Sequence, residues 1–388
     1  MSSDKIPVAK PLLGKPEVEA ASRAILSGWV TQGPETAAFE KEFAAYVAAP
    51  FACAVSNCTT ALHLALRAVG VKAGDEVITA SHSFIATANS VRYLNAIPVF
   101  ADIDPQTFNI DPAKIAKLIT PKTRAILAVH QMGMPCDLKA ILEIARKRDL
   151  PVVEDGACAI GSQIEFDGKW EMIGKPHGDI ACFSFHPRKL LTTGDGGMLT
   201  TRNAEFDKKF RLWRQHSMSV PDAVRHSASQ VIFEEYLELG YNYRMTDIQS
   251  AVGREQLKRM PEIIERRRKQ TAEYNRLLSE ITGLKTPHEP KWAKANFQSY
   301  CVRLPDGCDQ RTVMDRMLKD GVSTRRGIMC AHREPAFRTE PWLPGNAADL
   351  RESERAQDRC IILPLFHEMT GDQQKRVADS LKKACARA

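Results

Sequence analysis

The apolar positions between residues 50 and 205 follow two alternating patterns. Short apolar runs, of which residues 51–55 are the first, indicate strands. They alternate with helical periodicity, as in residues 59–69, where Leu62 and Leu66 share one face. Further elements of the same two kinds are predicted at residues 76–79, 84–94, 98–101, 125–129, 138–148, 151–154, 180–185 and 198–201. The alternation predicts an α/β fold with a mixed, mainly parallel sheet between helices.

Beyond the predicted sheet the pattern is less regular. Residues 216–230 are polar and rich in serine, which predicts a mobile loop. Residues 246–282 form one long helical pattern. The remainder mixes strand and helix patterns, at residues 299–304, 310–319 and 371–386. We therefore predict a large domain over residues 1–250 and a smaller C-terminal α+β domain over residues 251–388.

The composition is that of an ordinary globular protein and argues against several classes. The 388 residues are 44% hydrophobic and 26% charged, so the chain can bury a sizeable core. The net charge of +7 is diffuse, which argues against a nucleic-acid partner and fits an anionic substrate. No apolar run has membrane-spanning length, and the ten cysteines show no C-x-x-C spacing. We expect a cytoplasmic protein with reduced cysteines, no metal site and no membrane contact.

Lys189 follows the predicted strand 180–185 and precedes a glycine-rich turn. A lysine forms a Schiff base only as the neutral amine, so a site that uses one has to lower its pKa by burial or by neighbouring cations. Taken alone, Lys189 also fits a solvated loop lysine.

Other candidates lie where predicted strands end. Asp155 closes an apolar run, so its carboxylate can pair with a protonated pyridine nitrogen or cap the segment that follows. Thr59 and Thr60 open a predicted helix, where hydroxyls and free amides bind phosphate or serve as ordinary caps. Phe84 can stack on a planar cofactor or belong to the core.

Two further observations narrow the class of protein. Neither G-x-G-x-x-G nor G-x-x-x-x-G-K-[ST] occurs, which counts against a nicotinamide oxidoreductase and a P-loop NTPase. A dense polar and aromatic cluster at residues 240–249 precedes the long helical pattern, with a helix start predicted at Thr246 or Asp247. Loop clusters of this kind also carry function.

Taken together, these segments resemble the DegT-type sugar aminotransferases, a family of pyridoxal-phosphate (PLP) enzymes with the aspartate-aminotransferase-like fold (fold type I). The resemblance covers nearly the whole chain, and its strength lies in the order of many matches. The main motifs are Ser27-Gly-Trp-Val-Thr-Gln-Gly33, Ser56-Asn-Cys-Thr-Thr-Ala-Leu62, Ser83-Phe-Ile-Ala-Thr-Ala-Asn89, Glu154-Asp155, Phe183-Ser-Phe-His-Pro-Arg-Lys189 and Gly240-Tyr-Asn-Tyr-Arg-Met-Thr-Asp247.

The resemblance implies a role for each matched residue. Lys189 would form the Schiff base with PLP and then act as general base and acid. Asp155 would pair with the pyridinium nitrogen, and Phe84 would stack on the ring. The implied phosphate contacts are Thr59, Thr60 and Ser184.

Asn242 resembles the family residue that reaches the phosphate of a partner subunit, which implies a homodimer with shared active sites. Three positions depart from the family pattern. Cys58 and Cys158 stand where the family often has Gly and Gln, and Asp195 stands where it usually has Glu. Cys158 is expected to contact the cofactor face, but it is a weaker hydrogen-bonding group than Gln.

The implied reaction is amino transfer to a sugar for amino-sugar biosynthesis. An amino acid, which the family suggests is L-glutamate, would convert PLP to its pyridoxamine form. That form would aminate a nucleotide-linked keto-sugar of the 4-keto-6-deoxy type, with ping-pong kinetics. An arginine fork suits a diphosphate, although the same residues fit a surface salt-bridge loop. The candidate substrate contacts are Trp29, Arg325, Arg326 and His332.

Two alternatives within this fold stay open. Some relatives carry His in place of the lysine and dehydrate keto-sugars, and Lys189 argues against that branch. A non-catalytic regulatory protein would keep PLP and signal through a partner, but no DNA-binding motif is evident.

Overall fold

An eight-stranded sheet forms the centre of the computed structural model, which describes residues 5–220, 225, 229–344 and 349–386. In chain order the strands are β1 (Phe51–Val55), β2 (Glu76–Ala80), β3 (Ile97–Ala101), β4 (Thr123–Val129), β5 (Val152–Asp155), β6 (Gln163–Phe166), β7 (Lys169–Met172), β8 (Ile180–Ser184), β9 (Gly197–Thr201), β10 (Ala293–Lys294), β11 (Tyr300–Arg303), β12 (Arg325–Arg326), β13 (Leu343–Pro344) and β14 (Cys360–Leu363).

The strand order of this sheet is β1-β9-β8-β5-β4-β2-β3-β13. β9 is antiparallel to both of its neighbours, and the pairs from β8 to β13 are parallel. The structure thus confirms the predicted α/β fold with a mixed, mainly parallel sheet.

Helices flank the sheets on both sides. They are α1 (Lys15–Leu26), α2 (Pro34–Val47), α3 (Cys58–Ala68), α4 (Ala86–Arg92), α5 (Pro112–Ile115), α6 (Leu138–Arg146), α7 (Ala204–Trp213), α8 (Asp247–Lys258), α9 (Met260–Leu278), α10 (Gln310–Lys319), α11 (Arg351–Arg359) and α12 (Gly371–Ala386). None of these helices is both long and apolar enough to cross a membrane.

Helices cover both faces of the sheet, so its strands are apolar on both sides. In β4, Ala125 and Leu127 pack into one apolar cluster, while Ile126 and Ala128 pack into another. Successive side chains of a strand point to opposite faces, so the two clusters lie on opposite sides of the sheet. This two-sided burial explains the continuous apolar runs in the sequence.

The long helical pattern at residues 246–282 is two helices rather than one. Arg259 ends α8 and also precedes α9. Pro261, near the start of α9, has no amide proton to donate to the preceding turn, so the hydrogen-bonded ladder is interrupted there. A second difference concerns Phe84, which precedes α4 rather than beginning it.

A smaller antiparallel sheet of three strands, β11-β14-β12, lies in the C-terminal part of the chain. Its apolar cluster includes Tyr300 from β11 and Val377 from α12, together with Ile6 from the N-terminus. Ile6 donates its amide to the Gly321 carbonyl over 2.8 Å. The domain boundary at residue 250 stays a prediction.

A third sheet has the order β10-β6-β7 and contains a hairpin that the sequence pattern did not predict. Of the mobile loop predicted over residues 216–230, residues 221–224 and 226–228 lie outside the described residues.

Candidate active site

Lys189 lies between β8 and β9, where a sulfur atom accepts a hydrogen bond from its amine. The Lys189 Nζ donates to Cys158 Sγ over 3.0 Å. Burial by itself lowers the pKa of Lys189, but Cys158, Cys58 and Asp155 together raise it above its ordinary value. The sequence-based expectation was a lowered pKa. The outcome differs because the chain surrounds this amine with thiols and a carboxylate rather than with cations.

Asp155 ends β5 with its carboxylate buried. Its Oδ2 accepts a hydrogen bond from Thr87 Oγ1 over 2.9 Å, and its Oδ1 accepts one from the Ala157 amide over 3.1 Å. No helix begins between β5 and β6, so the alternative of a helix cap is wrong. Burial raises the pKa of Asp155. A cation placed against this carboxylate would therefore be strongly favoured.

Thr87 of α4 orients the Asp155 carboxylate, and sequence reasoning missed it. Because the Thr87 hydroxyl proton points to Asp155, its oxygen accepts from Ser83 Oγ, 2.8 Å away. Phe84 lies between these two residues and is 59% exposed, which excludes the alternative that it belongs to the core. The signal available in the sequence was the spacing Phe84-x-x-Thr87, which places Thr87 in the first turn of the helix that follows Phe84.

The N-terminus of α3 comes close to the start of β9. A Cβ atom at Gly197 would lie 2.5 Å from the Asn57 carbonyl carbon, so only glycine permits this approach. Gly197 pairs with Val55 on one side and Ser184 on the other. Ser184 therefore lies at the same sheet edge as the N-terminus of α3.

Asn57 caps α3, and Thr60 completes the capping box with it. The Thr60 amide donates to Asn57 Oδ1 over 2.9 Å, and its hydroxyl donates to the Asn57 carbonyl over 2.7 Å. Thr59 is half-buried beside it. The cap of α3 is therefore Asn57 rather than Thr59 or Thr60. The phosphate contacts of Thr59, Thr60 and Ser184 stay predictions.

Glu154, next to Asp155, belongs to a closed structural network. His130 Nδ1 accepts from the Cys136 amide over 3.0 Å, so its ring proton is on Nε2 and points to Glu154 Oε2, 3.1 Å away. Glu154 Oε1 accepts from the Gly178 amide over 2.8 Å. Burial raises the pKa of Glu154, but His130 and the other donors outweigh it, and the net pKa is below its ordinary value.

Asn242 lies beside the N-terminal loop of α3. The Ser56 amide donates to the Tyr243 carbonyl over 2.8 Å. Tyr241 and Tyr243 stack with ring centroids 4.8 Å apart, and Asn242 between them is exposed. Its predicted contact with a partner subunit stays a prediction.

Thr246 and Asp247 both stand at the start of α8, as predicted, but their side chains cap different helices. Thr246 caps α8, accepting from the Gln249 amide over 3.2 Å. The Asp247 carboxylate instead caps α2, accepting from the Gly33 amide over 2.7 Å, and from the Thr36 amide over 2.9 Å and hydroxyl over 2.7 Å. It also accepts from the Glu35 amide over 3.0 Å.

Of the four candidate substrate contacts, His332 forms hydrogen bonds with Ser81, close in the chain to Phe84. Its Nδ1 is 2.6 Å from Ser81 Oγ, three residues before Phe84. Its Nε2 is 3.1 Å from Glu354 Oε1.

The other three candidates, Trp29, Arg325 and Arg326, have contacts of a different kind. Arg325 and Arg326 are exposed on β12, and Arg326 forms an ion pair with Glu334 over 2.7 Å. The Trp29 indole donates to the Gln32 carbonyl over 3.1 Å. The substrate roles of Trp29, Arg325 and Arg326 stay predictions.

The residues present fit PLP. The buried Asp155 carboxylate uses two of its acceptor positions and has others left for a pyridinium N–H. The Lys189 amine, the exposed Phe84 ring and the N-terminus of α3 supply the remaining chemistry that such a cofactor needs. Within the described ranges, no group of three or more His, Cys, Asp or Glu side chains is arranged to hold a metal ion.

The fold and this lysine–aspartate site define a PLP-dependent aminotransferase of fold type I. Residues 11–382 match the model of the DegT/DnrJ/EryC1/StrS aminotransferase family, and the chain belongs to that family.

Comparison with individual proteins agrees with this family assignment. The chain is 39% identical over 383 residues to a GDP-perosamine synthase of Caulobacter vibrioides, covering 97% of each chain. The aminotransferase TlmJ from Streptoalloteichus hindustanus has a similar structure, with a TM-score of 0.89, 32% identity and 99% of each chain covered. DesI, solved in the presence of its TDP-sugar product, matches with a TM-score of 0.87 and 29% identity over 99% of this chain and 94% of its own.

Proposed function

We propose that this aminotransferase moves an amino group from L-glutamate to a nucleotide-linked keto-sugar of the 4-keto-6-deoxy type, for amino-sugar biosynthesis. Two relatives support a nucleotide sugar, since one is a GDP-perosamine synthase and another was solved with a TDP-sugar product. The net charge of +7 favours an anionic substrate of this kind.

One observation carries the proposal: the Lys189 amine and the Asp155 carboxylate both lie where neighbouring strands end, β8 and β5. Cys158 links them, since it accepts a hydrogen bond from Lys189 and follows Asp155 by three residues. Ligands of α/β proteins bind at this edge of the sheet.

When bound, PLP supplies an electron sink for the charge that develops on the amino-bearing carbon. The buried Asp155 would keep a proton on the pyridine nitrogen. The Lys189 Nζ would remove and return the proton on that carbon. Phe84 would cover one face of the ring, and the amides at the start of α3 would hold the phosphate.

Lys189→Ala tests this assignment. Incubation with PLP is expected to give the unsubstituted chain a visible absorbance band, which excess glutamate should bleach. The variant should show no such band, because no amine remains at this position. A band of unchanged intensity in Lys189→Ala would contradict the role of this lysine. A band that no amino acid bleaches would favour the dehydratase or the regulatory alternative.

The acceptor is tested separately. A panel of nucleotide-linked keto-sugars, incubated with glutamate and the loaded chain, is analysed by mass for exchange of the keto oxygen for an amino group. Failure of every nucleotide sugar, with a free keto-sugar accepted, would overturn the nucleotide-linked assignment.

We also propose a homodimer with shared active sites, located in the cytoplasm. The segment before Asn242 carries strongly exposed apolar side chains, including Val231 (84%), Phe233 (90%) and Leu239 (74%), which a second copy would cover. The ten free cysteines support a reducing compartment.

Mixing two inactive variants tests the shared site. Lys189→Ala and Asn242→Ala homodimers should be weak or inactive, but a mixed dimer would contain one site with both residues intact. Activity should therefore recover after subunit exchange. Absence of recovery, with exchange shown by mass, would mean that Asn242 serves its own subunit.

A further inference from the structure

Residues 295–299, called the bridging segment below, join the C-terminal part of the chain to the loops around Lys189. Asn296 Nδ2 donates hydrogen bonds to the Cys158 and Ile160 carbonyls, each over 2.8 Å. A Cβ atom at Gly133 would lie 1.9 Å from Asn296 Oδ1, so the loop after β4 is also in close contact. The backbone of Cys158, the sulfur partner of Lys189, is thus held by Asn296.

Gln298 contacts the backbone next to Lys189, which is the donor of the hydrogen bond to Cys158. Its Nε2 donates to the Arg188 carbonyl over 3.0 Å, directly before Lys189. Its own amide donates to Asn296 Oδ1 over 2.8 Å, which couples the two side chains. The bridging segment therefore contacts the backbone next to both the amine and the sulfur.

The bridging segment is anchored by a buried arginine of α9. Arg267 is 4% exposed, and its Nη1 donates to the Phe297 carbonyl over 3.0 Å and the Gln298 carbonyl over 3.1 Å. Phe297 has a left-handed backbone, with φ 49°. This conformation is unfavourable for a residue other than glycine, so the surroundings have to hold it.

The charge of Arg267 is itself costly. The ion pairs found among the described residues include none of Arg267, and burial lowers its pKa to about 10. Its buried Nε has no hydrogen-bond partner among the described residues, and such a guanidinium destabilises a fold relative to an apolar side chain. What Arg267 contributes is the orientation of the bridging segment, because one planar group binds two successive carbonyls.

We propose that Arg267 is a positioning residue, which acts through the bridging segment to fix where the Lys189 amine and the Cys158 sulfur lie. The inference rests on the proposed role of Lys189. Arg267 contacts neither residue itself, and the connection runs through Gln298 to Arg188 and through Asn296 to Cys158.

Three variants and one matched control test the positioning role of Arg267. Gln298→Leu removes the side-chain donor to Arg188 and keeps the volume, while Arg267→Met removes the anchor. Arg266→Met is the matched control, because it makes the same change at the preceding, exposed position of α9. Arg267→Lys keeps a cation and a donor, and should restore part of any loss.

The first readout is the pH titration of the visible absorbance band of the PLP-loaded chain, which a merely structural role would not move. We expect the midpoint to shift by about half a unit in Gln298→Leu and about one unit in Arg267→Met, as loss of one or two hydrogen bonds implies. The second readout is hydrogen exchange of the amides in residues 186–190. We expect exchange to be about tenfold faster in Gln298→Leu and Arg267→Met, because local opening becomes easier by about 1.4 kcal/mol. Arg266→Met should change neither.

The outcomes are distinct. An unchanged midpoint and unchanged exchange in Gln298→Leu would overturn the inference, even if Arg267→Met fails to fold. A change of the same size in Arg266→Met would also overturn it. If the unsubstituted chain shows no band with PLP, the proposed role of Lys189 fails instead, and hydrogen exchange still decides whether Arg267 acts on this loop.

Discussion

Asp155 and Asp247 are both buried aspartates, but their carboxylates are used differently. Asp247 accepts four hydrogen bonds from residues 33–36, which fill its acceptor positions. Asp155 accepts two, from Thr87 and Ala157, and burial raises its pKa. The acceptor positions of the Asp247 carboxylate are therefore all occupied by the protein itself. The Asp155 carboxylate keeps free acceptor positions, and burying it in this state lowers the stability of the fold.

The difference shows how a structural carboxylate is told from a functional one. Asp155 is the last residue of β5 and Asp247 is the first residue of α8. Both are almost inaccessible to solvent. What separates them is the number of donors that the chain itself provides. Unused acceptor capacity on a buried charge marks the place where another molecule has to bind.

The largest expected effect is on activity, in Asp155→Asn. A neutral amide cannot hold a proton on the pyridine nitrogen, so amino transfer should slow about a thousand-fold, equivalent to about 4 kcal/mol. Steady-state kinetics with glutamate as donor measure this effect. Activity within tenfold of the unsubstituted enzyme would mean that Asp155 is not the electrostatic partner of the cofactor.

The next largest effect should fall on stability, in Asp247→Asn. The variant loses the charged acceptor at the N-terminus of α2, so the free energy of unfolding should drop by about 3 kcal/mol. Chemical denaturation followed by circular dichroism measures the change. A loss below about 1 kcal/mol would place Asp247 among ordinary surface caps rather than in a buried network.

Gly197→Ala affects fold and site together. Its Cβ would push on the backbone of Asn57, so we expect a loss of about 2 kcal/mol in unfolding free energy and weaker PLP binding. Gly371→Ala is the control, since a Cβ there meets nothing within 4 Å. Equal losses in both variants would show that close approach is not the cause. Equilibrium titration with PLP separates the two effects.

The smallest effect is the pH dependence of stability without cofactor. A raised pKa means that folded Asp155 holds its proton more tightly than the unfolded chain does, so ionisation costs stability as the pH rises. Asp155→Asn should therefore be more stable than the unsubstituted chain by about 1 kcal/mol at pH 7, and the difference should vanish below about pH 3. Lower stability of the variant at pH 7, with no convergence in acid, would contradict this sign.

Sequence patterns identified the elements whose contacts are local. The helices Gln310–Lys319 and Gly371–Ala386 were predicted at their observed bounds, because each has a helical period along one continuous stretch. The hairpin of Gln163–Phe166 and Lys169–Met172 was missed. Its strands are short and partly exposed, so their apolar positions do not alternate clearly.

The site was predictable only as a set of residue types after strands. Lys189 and Asp155 stood out through their order among many motifs, not through local pattern. The helix start predicted at Thr246 or Asp247 is confirmed, but the capping of α2 by Asp247 was missed, because those partners lie 211–214 positions earlier in the chain. Asn296 and Gln298 gave no signal at all, since contacts between distant segments leave no periodicity in the sequence.

The bond between Asp247 and the N-terminus of α2 has a consequence for synthesis on the ribosome. Residues 6–47 leave the ribosome long before their partners, since Ile6 pairs with Gly321 and α2 is capped by Asp247. At translation rates of about 5–20 residues per second, this segment waits on the order of tens of seconds for its partners. During that interval α2 lacks its cap from Asp247, so we expect the first turn of α2 to become stable only after residue 247 has been synthesised.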